Sequence, residues 1–421
     1  MNPRNPMTPE RDRNTKPRTG NAPPQDKQSI YMGRIDDIPE EPQLRRRPES
    51  LAEEERRAGI ATVVFSVTVA AVALLVCLLV AVMTVRTVLP SQGNGNSKPN
   101  GTDAGTAEPT PSDPGAILFT PGAAVLPKSG TNTKSISGIS SNYAVLIDAA
   151  TGEILAGKDA DTRFSPASMT KVMTLLVAFQ RLTTTDLNKT VYCTEEMREY
   201  VTTGNYKDLE IYGFKAGQGA RIEDLLYGIG VISAADCVMM VASYICPAAT
   251  PAESEAAFVE LMNAEAQKMG LTSTSFDNAV GYESANNKST ATEIAAIMMR
   301  ALTCEKIKAI LSVKDMAFTT YVENGNPKSP CYFVSTLFRS ANEQRSRQYA
   351  YENAYGKFKL NSLTLGGGKT GTLGDSKTGY IYSLVSFATG GGKTYIVVTG
   401  ETGKSADVLK DAKTIYDNYI N

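Results

Sequence analysis

The chain of 421 residues contains no histidine. That absence removes a Ser/His/Asp triad, a Cys/His dyad and every His-ligated metal site, so any catalytic base has to be another group. Formal charge nearly cancels at -1. No excess of Lys or Arg gathers outside the N-terminal tail, which leaves little to attract nucleic acid. The six cysteines, Cys77, Cys193, Cys237, Cys246, Cys304 and Cys331, form no C-x-x-C pair and no zinc-type spacing, so no metal or other cofactor is expected. Five of them follow Cys77, an odd number that argues against a full disulfide framework and leaves room for one bridge that sequence does not assign.

Residues 1–57 lack apolar periodicity and are rich in Pro, Arg, Glu and Asn. They cannot bury enough surface to offset ordering entropy and are expected to form a disordered tail. Residues 58–88 hold a charge-free run from Ala58 to Val85, long enough to span a bilayer. The run is too long and too far from the N-terminus for a signal core of roughly 7 to 15 residues. Arg45, Arg46, Arg47, Arg56 and Arg57 precede it and only Arg86 follows closely. The positive-inside rule then keeps the N-terminus cytoplasmic and everything after Val88 extracytoplasmic, a single-pass cell-membrane protein. Residues 89–137, heavy in Gly, Ser, Thr, Asn and Pro, read as a flexible stalk, with a short apolar patch at 117–126 suited to pack on the domain as an edge element.

Residues 138–421 are expected to form the folded domain. Tyr143 to Asp148 and Glu153 to Lys158 read as a hairpin around a turn-type sequence. Ser165 and Pro166 open a helix running to about Leu182, apolar on most faces as a central helix would be. Helical patterns follow at 222–232, 235–244, 251–269 and 291–302. Tyr380 to Ala388 and Thr394 to Gly400 read as a second hairpin, and 406–420 as a helix laid on a sheet. Strands at both ends with helices between imply an α/β fold: an antiparallel sheet flanked by helices, with an inserted helical lobe.

Ser168 and Lys171 stand three apart at the start of a helix, one turn apart on one face, so the amine can reach the hydroxyl. To accept its proton the amine must be neutral near pH 7, which requires burial or a nearby cation. The pattern is short enough to occur about once or twice by chance in a chain of this size. Lys369, Thr370, Gly371 and Thr372 follow the glycines at 366–368 and precede the last hairpin, placing them on or beside a strand whose edge suits a peptide with a carboxylate. A second Lys/Thr/Gly triplet at 377–379 runs into bulky strand residues and reads as a turn. Ser233, in a loop between two helical stretches, is placed either to relay a proton or simply to cap a helix.

Ser168-x-x-Lys171, Ser233 and Lys369-Thr370-Gly371, in that order, resemble the active-site set of penicillin-binding proteins and serine β-lactamases. The segments 217–228 and 258–276 resemble the low-molecular-weight D-alanyl-D-alanine carboxypeptidases, and the likeness covers about 142–400. The resemblance implies a β-lactamase/transpeptidase-like fold and a carboxypeptidase that trims peptidoglycan stem peptides through an acyl-enzyme. It also implies acylation by β-lactam antibiotics at the same serine. In that frame Ser168 is the nucleophile, Lys171 its base, Ser233 the relay, and Lys369 with Thr370 the carboxylate anchor. The N–H groups of Ser168 and Thr372 form the oxyanion hole, and Gly371 lets substrate backbone approach.

Two departures stand out. Ala235 occupies the position where the family usually has Asn, removing a polar contact to substrate and lysine, and 326–364 fits poorly and reads as an insertion beside the cleft. The sequence is also expected to lack a C-terminal β-domain or amphipathic anchor, a role the N-terminal span would take. A β-lactamase would need a carboxylate to activate the deacylating water, and no convincing Glu-x-x-x-Asn segment stands between Ser233 and Lys369. A wall-binding or sensory module that kept the fold and lost activity is the alternative that Ala235 motivates.

Overall fold

The computed structural model describes residues 115–203, 206–337, 359–375 and 378–420. The membrane-spanning helix expected over 58–88 lies outside the described residues, as do the tail at 1–57 and most of the stalk. Among the described residues no helix is long and apolar enough to cross a membrane.

A six-stranded sheet organises the domain. Its strands are β1 (Lys128–Ser135), β2 (Tyr143–Asp148), β3 (Glu153–Lys158), β8 (Thr364–Asp375), β9 (Gly379–Gly390) and β10 (Lys393–Thr402), in the spatial order β1-β3-β2-β10-β9-β8. Two-stranded ribbons are made by β4 (Thr190–Tyr192) with β5 (Gly219–Arg221) and by β6 (Asp315–Phe318) with β7 (Cys331–Val334). The expected all-antiparallel sheet is corrected at one edge: β1 pairs with β3 in parallel, while the other neighbours are antiparallel. β1 also comes from residues expected in the stalk. Its KSGTNTKS sequence lacks the alternation of a half-buried strand, because nearly every side chain on this edge is exposed. Ahead of it, Ile117 bridges Thr183 and the Leu118 N–H bonds the Leu182 carbonyl, so the apolar patch does pack on the domain.

The strands bury both faces. On one side Leu146, Leu384, Ala388 and Val397 pack under Val408, Leu409, Ile415 and Tyr416 of the last helix, α8 (Ser405–Tyr419). On the other, Val145, Ile147, Val385, Phe387, Ile396 and Val398 face the helical lobe. That lobe holds α1 (Lys171–Arg181), α2 (Glu195–Thr202), α3 (Ile222–Val231), α4 (Ala235–Ile245), α5 (Pro251–Lys268), α6 (Ala291–Leu302) and α7 (Glu305–Ser312). Every residue of α1 from Lys171 to Phe179 is buried, as an all-round apolar sequence requires. The expected single helix from Ser165 is instead a 3₁₀ turn, Ala167–Thr170, followed by α1. Helix starts follow their caps: Thr250 and Glu253 close a capping box on α5, and Thr290 accepts the Glu293 N–H at α6.

Candidate active site

The 3₁₀ turn brings Ser168 to the edge of the sheet, and its geometry is strained. Ala167 takes φ 50, in the left-handed region that disfavours a residue with a Cβ. The turn is held between two close neighbours. Gly281, itself at φ 78, backs onto the Ala167–Ser168 peptide so closely that a Cβ there would collide with the Ala167 carbonyl. From the other side β8 approaches, and a Cβ on Gly371 would lie 3.0 Å from both the Ala167 Cβ and the Pro166 carbonyl oxygen. Glycine is therefore required at 281 and gives the close fit at 371, and the Lys369–Thr372 stretch is thereby set beside the Ser168 turn.

Lys171 opens α1 directly after the turn, and its side chain is fully buried. Its Nζ lies 3.1 Å from Ser168 Oγ and donates to the Val280 carbonyl at 2.6 Å. Burial lowers the amine pKa to about 7, against the upward pull of the Glu210 and Glu255 carboxylates and Cys237. With the amine neutral, the Ser168 hydroxyl can donate to its lone pair.

Ser233 is buried in the loop between α3 and α4 and takes φ 65. Its hydroxyl does not bond the Lys171 amine, whose two hydrogen bonds go to Ser168 and Val280. Two of the four non-glycine residues with positive φ among the described residues are thus Ser233 and the neighbour of Ser168, a concentration of backbone strain typical of functional sites. Ala235 is buried at the start of α4, and its N–H bonds the Glu210 carbonyl at 2.8 Å. Asp236 then accepts the N–H groups of Tyr212, Gly213 and Phe214, clamping the segment that carries Glu210 to the head of α4. A carboxylate thus enters the neighbourhood of Lys171 beside the apolar Ala235.

On β8 the Lys369 side chain is buried and its amine donates to the Thr370 carbonyl at 3.0 Å. Thr370 Oγ1 donates to Thr336 Oγ1 at 2.8 Å, and Thr372 is exposed. Among the described residues β8 is the last strand of the sheet and pairs with β9 on one side. Of the second triplet, Lys377 lies outside the described residues, Thr378 is in the turn and Gly379 begins β9. The insertion expected over 326–364 includes β7 and, from 338 to 358, residues outside those described. Cys193, Cys237, Cys246, Cys304 and Cys331 are free thiols.

Sequence reasoning missed Thr336, Glu210, Glu255 and the turn at 279–281. Glu255 did carry a signal: it sits in line with Phe258, Val259, Met262 and Ala266 on the buried stripe of α5, an acid where the helical period calls for an apolar residue.

Comparison with known proteins agrees with this arrangement. The chain is 31 % identical over 164 residues to the D-alanyl-D-alanine carboxypeptidase DacF of Bacillus subtilis, covering 39 % of each chain. It is 27 % identical over 282 residues to the D-alanyl-D-alanine carboxypeptidase of Streptomyces sp. K15, covering 67 % of this chain and 87 % of that one. The match to the first of these spans well under half its length. A solved point mutant of the Streptomyces K15 DD-transpeptidase superposes with a TM-score of 0.55 at 26 % identity, covering 66 % of this chain and 97 % of the other. The fold is thus that of the penicillin-binding transpeptidases, a mixed sheet flanked by helices. A family model described as D-alanyl-D-alanine carboxypeptidase matches residues 130–402, more than half of the chain, and the protein belongs to that family.

Proposed function

We propose that the chain is a serine D-Ala-D-Ala carboxypeptidase that trims peptidoglycan stem peptides outside the cell, anchored by a membrane-spanning segment at 58–88. The observation that carries this reading is a fully buried Lys171 amine, with a pKa of about 7, 3.1 Å from the Ser168 hydroxyl. In a chain without histidine this pair supplies what acyl transfer needs, a nucleophile and a neutral base in contact.

In the forward step Ser168 Oγ bonds the carbonyl carbon of the penultimate D-alanine while the Lys171 amine takes the hydroxyl proton. The carbonyl pair moves onto oxygen, where the Ser168 and Thr372 N–H groups stabilise it. Collapse breaks the C–N bond, and the Lys171 ammonium returns its proton, through the Ser233 hydroxyl, to the departing amine of D-alanine. Water then cleaves the ester, giving its proton to Lys171, and Ser168 recovers a hydrogen. Lys369 and Thr370 anchor the terminal carboxylate, and the edge of β8 along Gly371 aligns the peptide. A β-lactam is attacked at its ring amide by the same serine.

Ala235 favours a second reading, a wall-binding or sensory module with weakened chemistry, since an apolar side chain stands where the family has an amide. The test is intact-mass analysis of the full-length chain with penicillin, together with D-alanine release from a stem-peptide mimic. An adduct on Ser168 with release supports the carboxypeptidase. An adduct without release supports the second reading, and rapid turnover of the β-lactam indicates a β-lactamase. No adduct removes the catalytic reading altogether.

A further inference from the structure

Behind Lys171 lies a buried network that the proposed chemistry does not use. Glu255, on α5, is 3 % exposed and its carboxylate has three donors: the Ala279 N–H at 2.9 Å and the hydroxyls of Tyr200 and Tyr206, each at 2.8 Å. The two tyrosine rings meet edge-on, and Tyr206 also packs edge-on against Tyr282, so the donors are fixed by packing on one another and on the residue that follows the turn at 279–281.

Each backbone anchor of that turn serves the site. The Ala279 carbonyl accepts from Thr174 Oγ1 at 2.7 Å, tying the turn to α1. The Val280 carbonyl accepts from the Lys171 amine. Gly281 N–H bonds Asn278 Oδ1 at 2.8 Å, and its Cα faces the Ala167–Ser168 peptide. One short turn therefore touches both members of the Ser168–Lys171 pair, and Glu255 holds its first residue.

We propose that Glu255 is a positioning residue for the acyl-transfer site: its buried carboxylate fixes the 279–281 turn, and that turn holds the Lys171 amine against the Ser168 hydroxyl. The inference rests on the reading of Lys171 as the base. A neutral glutamine could accept the Ala279 N–H equally well, but its NH2 would then face two tyrosine hydroxyls that here donate, so the three donors call for an acid. A carboxylate this deep is costly unless its charge is used. The charge acts on Lys171: each group favours the ionised form of the other, against the desolvation that both suffer. The remaining groups that face Lys171 are Glu210, from the segment before β5, and Cys237, from α4; those facing Glu255 are Tyr200 of α2 and Tyr206. Without Glu255 the amine would release its proton at lower pH.

The test uses the full-length chain, comparing wild type, Glu255→Gln and Glu255→Ala by two measurements across pH 5 to 9. The first is the rate of acylation by a fluorescent penicillin. The second is the titration of the Lys171 Cε shift in chain labelled with carbon-13 lysine, assigned by Lys171→Arg. Glu255→Gln is expected to move both midpoints down by about one pH unit, with the plateau rate within a few-fold of wild type. Glu255→Ala, which also loses the turn anchor, is expected to lower the plateau by at least about tenfold. A folded Glu255→Ala chain that keeps the wild-type plateau overturns the proposal, and so does a Lys171 titration in Glu255→Gln that superimposes on wild type, an outcome that stands whether or not Glu255→Ala folds. If wild type itself is not acylated, the catalytic reading fails instead, and the lysine titration still decides the role of Glu255.

Discussion

Acylation of Ser168 should follow the proton on Lys171, and the structure sets both the direction and the size of the dependence. The amine is neutral above its pKa and useless as a base below it. With that pKa at about 7, the neutral fraction is about one tenth at pH 6 and about nine tenths at pH 8. The second-order rate constant for acylation should therefore rise about tenfold between these two values and level off above them. The cause is desolvation inside α1, opposed by Glu210, Glu255 and Cys237, so the profile belongs to the fold and not to an exposed lysine near 10.5. Lys171→Arg supplies the control, because a guanidinium stays charged across the range; it should lower the plateau by roughly 10² to 10⁴ and remove the limb. The measurement is stopped-flow quenching with a fluorescent penicillin at constant ionic strength. A rate that is flat from pH 5 to 8, or that keeps climbing tenfold per unit to pH 10, would show that no amine of this character generates the nucleophile.

Two further outcomes follow from the same packing. A free lysine titrates at about 10.4 and the folded one at about 7, so between these values the unfolded chain binds the extra proton. Stability gained above the upper value is lost as pH falls toward the lower, with a slope of up to about 1.4 kcal/mol per pH unit. Lys171→Met should flatten that slope between pH 7 and 9, as read from the difference in urea midpoints; parallel profiles for the two proteins would contradict it. Gly281→Ala should destabilise by at least about 2 kcal/mol and slow acylation at least tenfold, since φ is 78 and the new methyl meets the Ala167 carbonyl. An alanine variant with wild-type melting and acylation would mean that the turn does not seat the Ser168 peptide.

Local physics makes much of this site legible in the amino-acid sequence. Ser168 and Lys171 are one turn apart, and that spacing alone brings the two atoms within reach. The glycines at 366–368 announce a strand with close neighbours, and the fold supplies them: Phe387 against Gly366 and the Leu311 carbonyl against Gly367. The hairpins at 143–158 and 379–402 and helices α3 to α6 follow from period-2 and period-3.6 patterns with ordinary caps. What escapes such patterns is held by tertiary contact. Alanine is a poor choice for φ 50, so nothing at Ala167 warns that the helix begins as a strained turn. β1 has no apolar face to advertise, because it borrows its order from β3. The partner of Lys171 at Val280 is 109 residues away and offers only a carbonyl, which every residue has.

The lysine is the point where these long-range contacts converge, and their balance explains why this fold can dispense with imidazole. Desolvation alone would drive the amine toward permanent neutrality, leaving nothing to protonate a departing amine. The carboxylates alone would keep it charged and unable to take the serine proton. Burial in α1 set against Glu255 and Glu210 leaves it able to do both near pH 7, which is the property a histidine has unaided. The Ala235 N–H bonds the Glu210 carbonyl and so holds in place the backbone that carries a charged neighbour of the same amine. Each carboxylate beside the amine raises its pKa, and the complete burial of Lys171, at 0 % exposure, is what brings it back down to about 7.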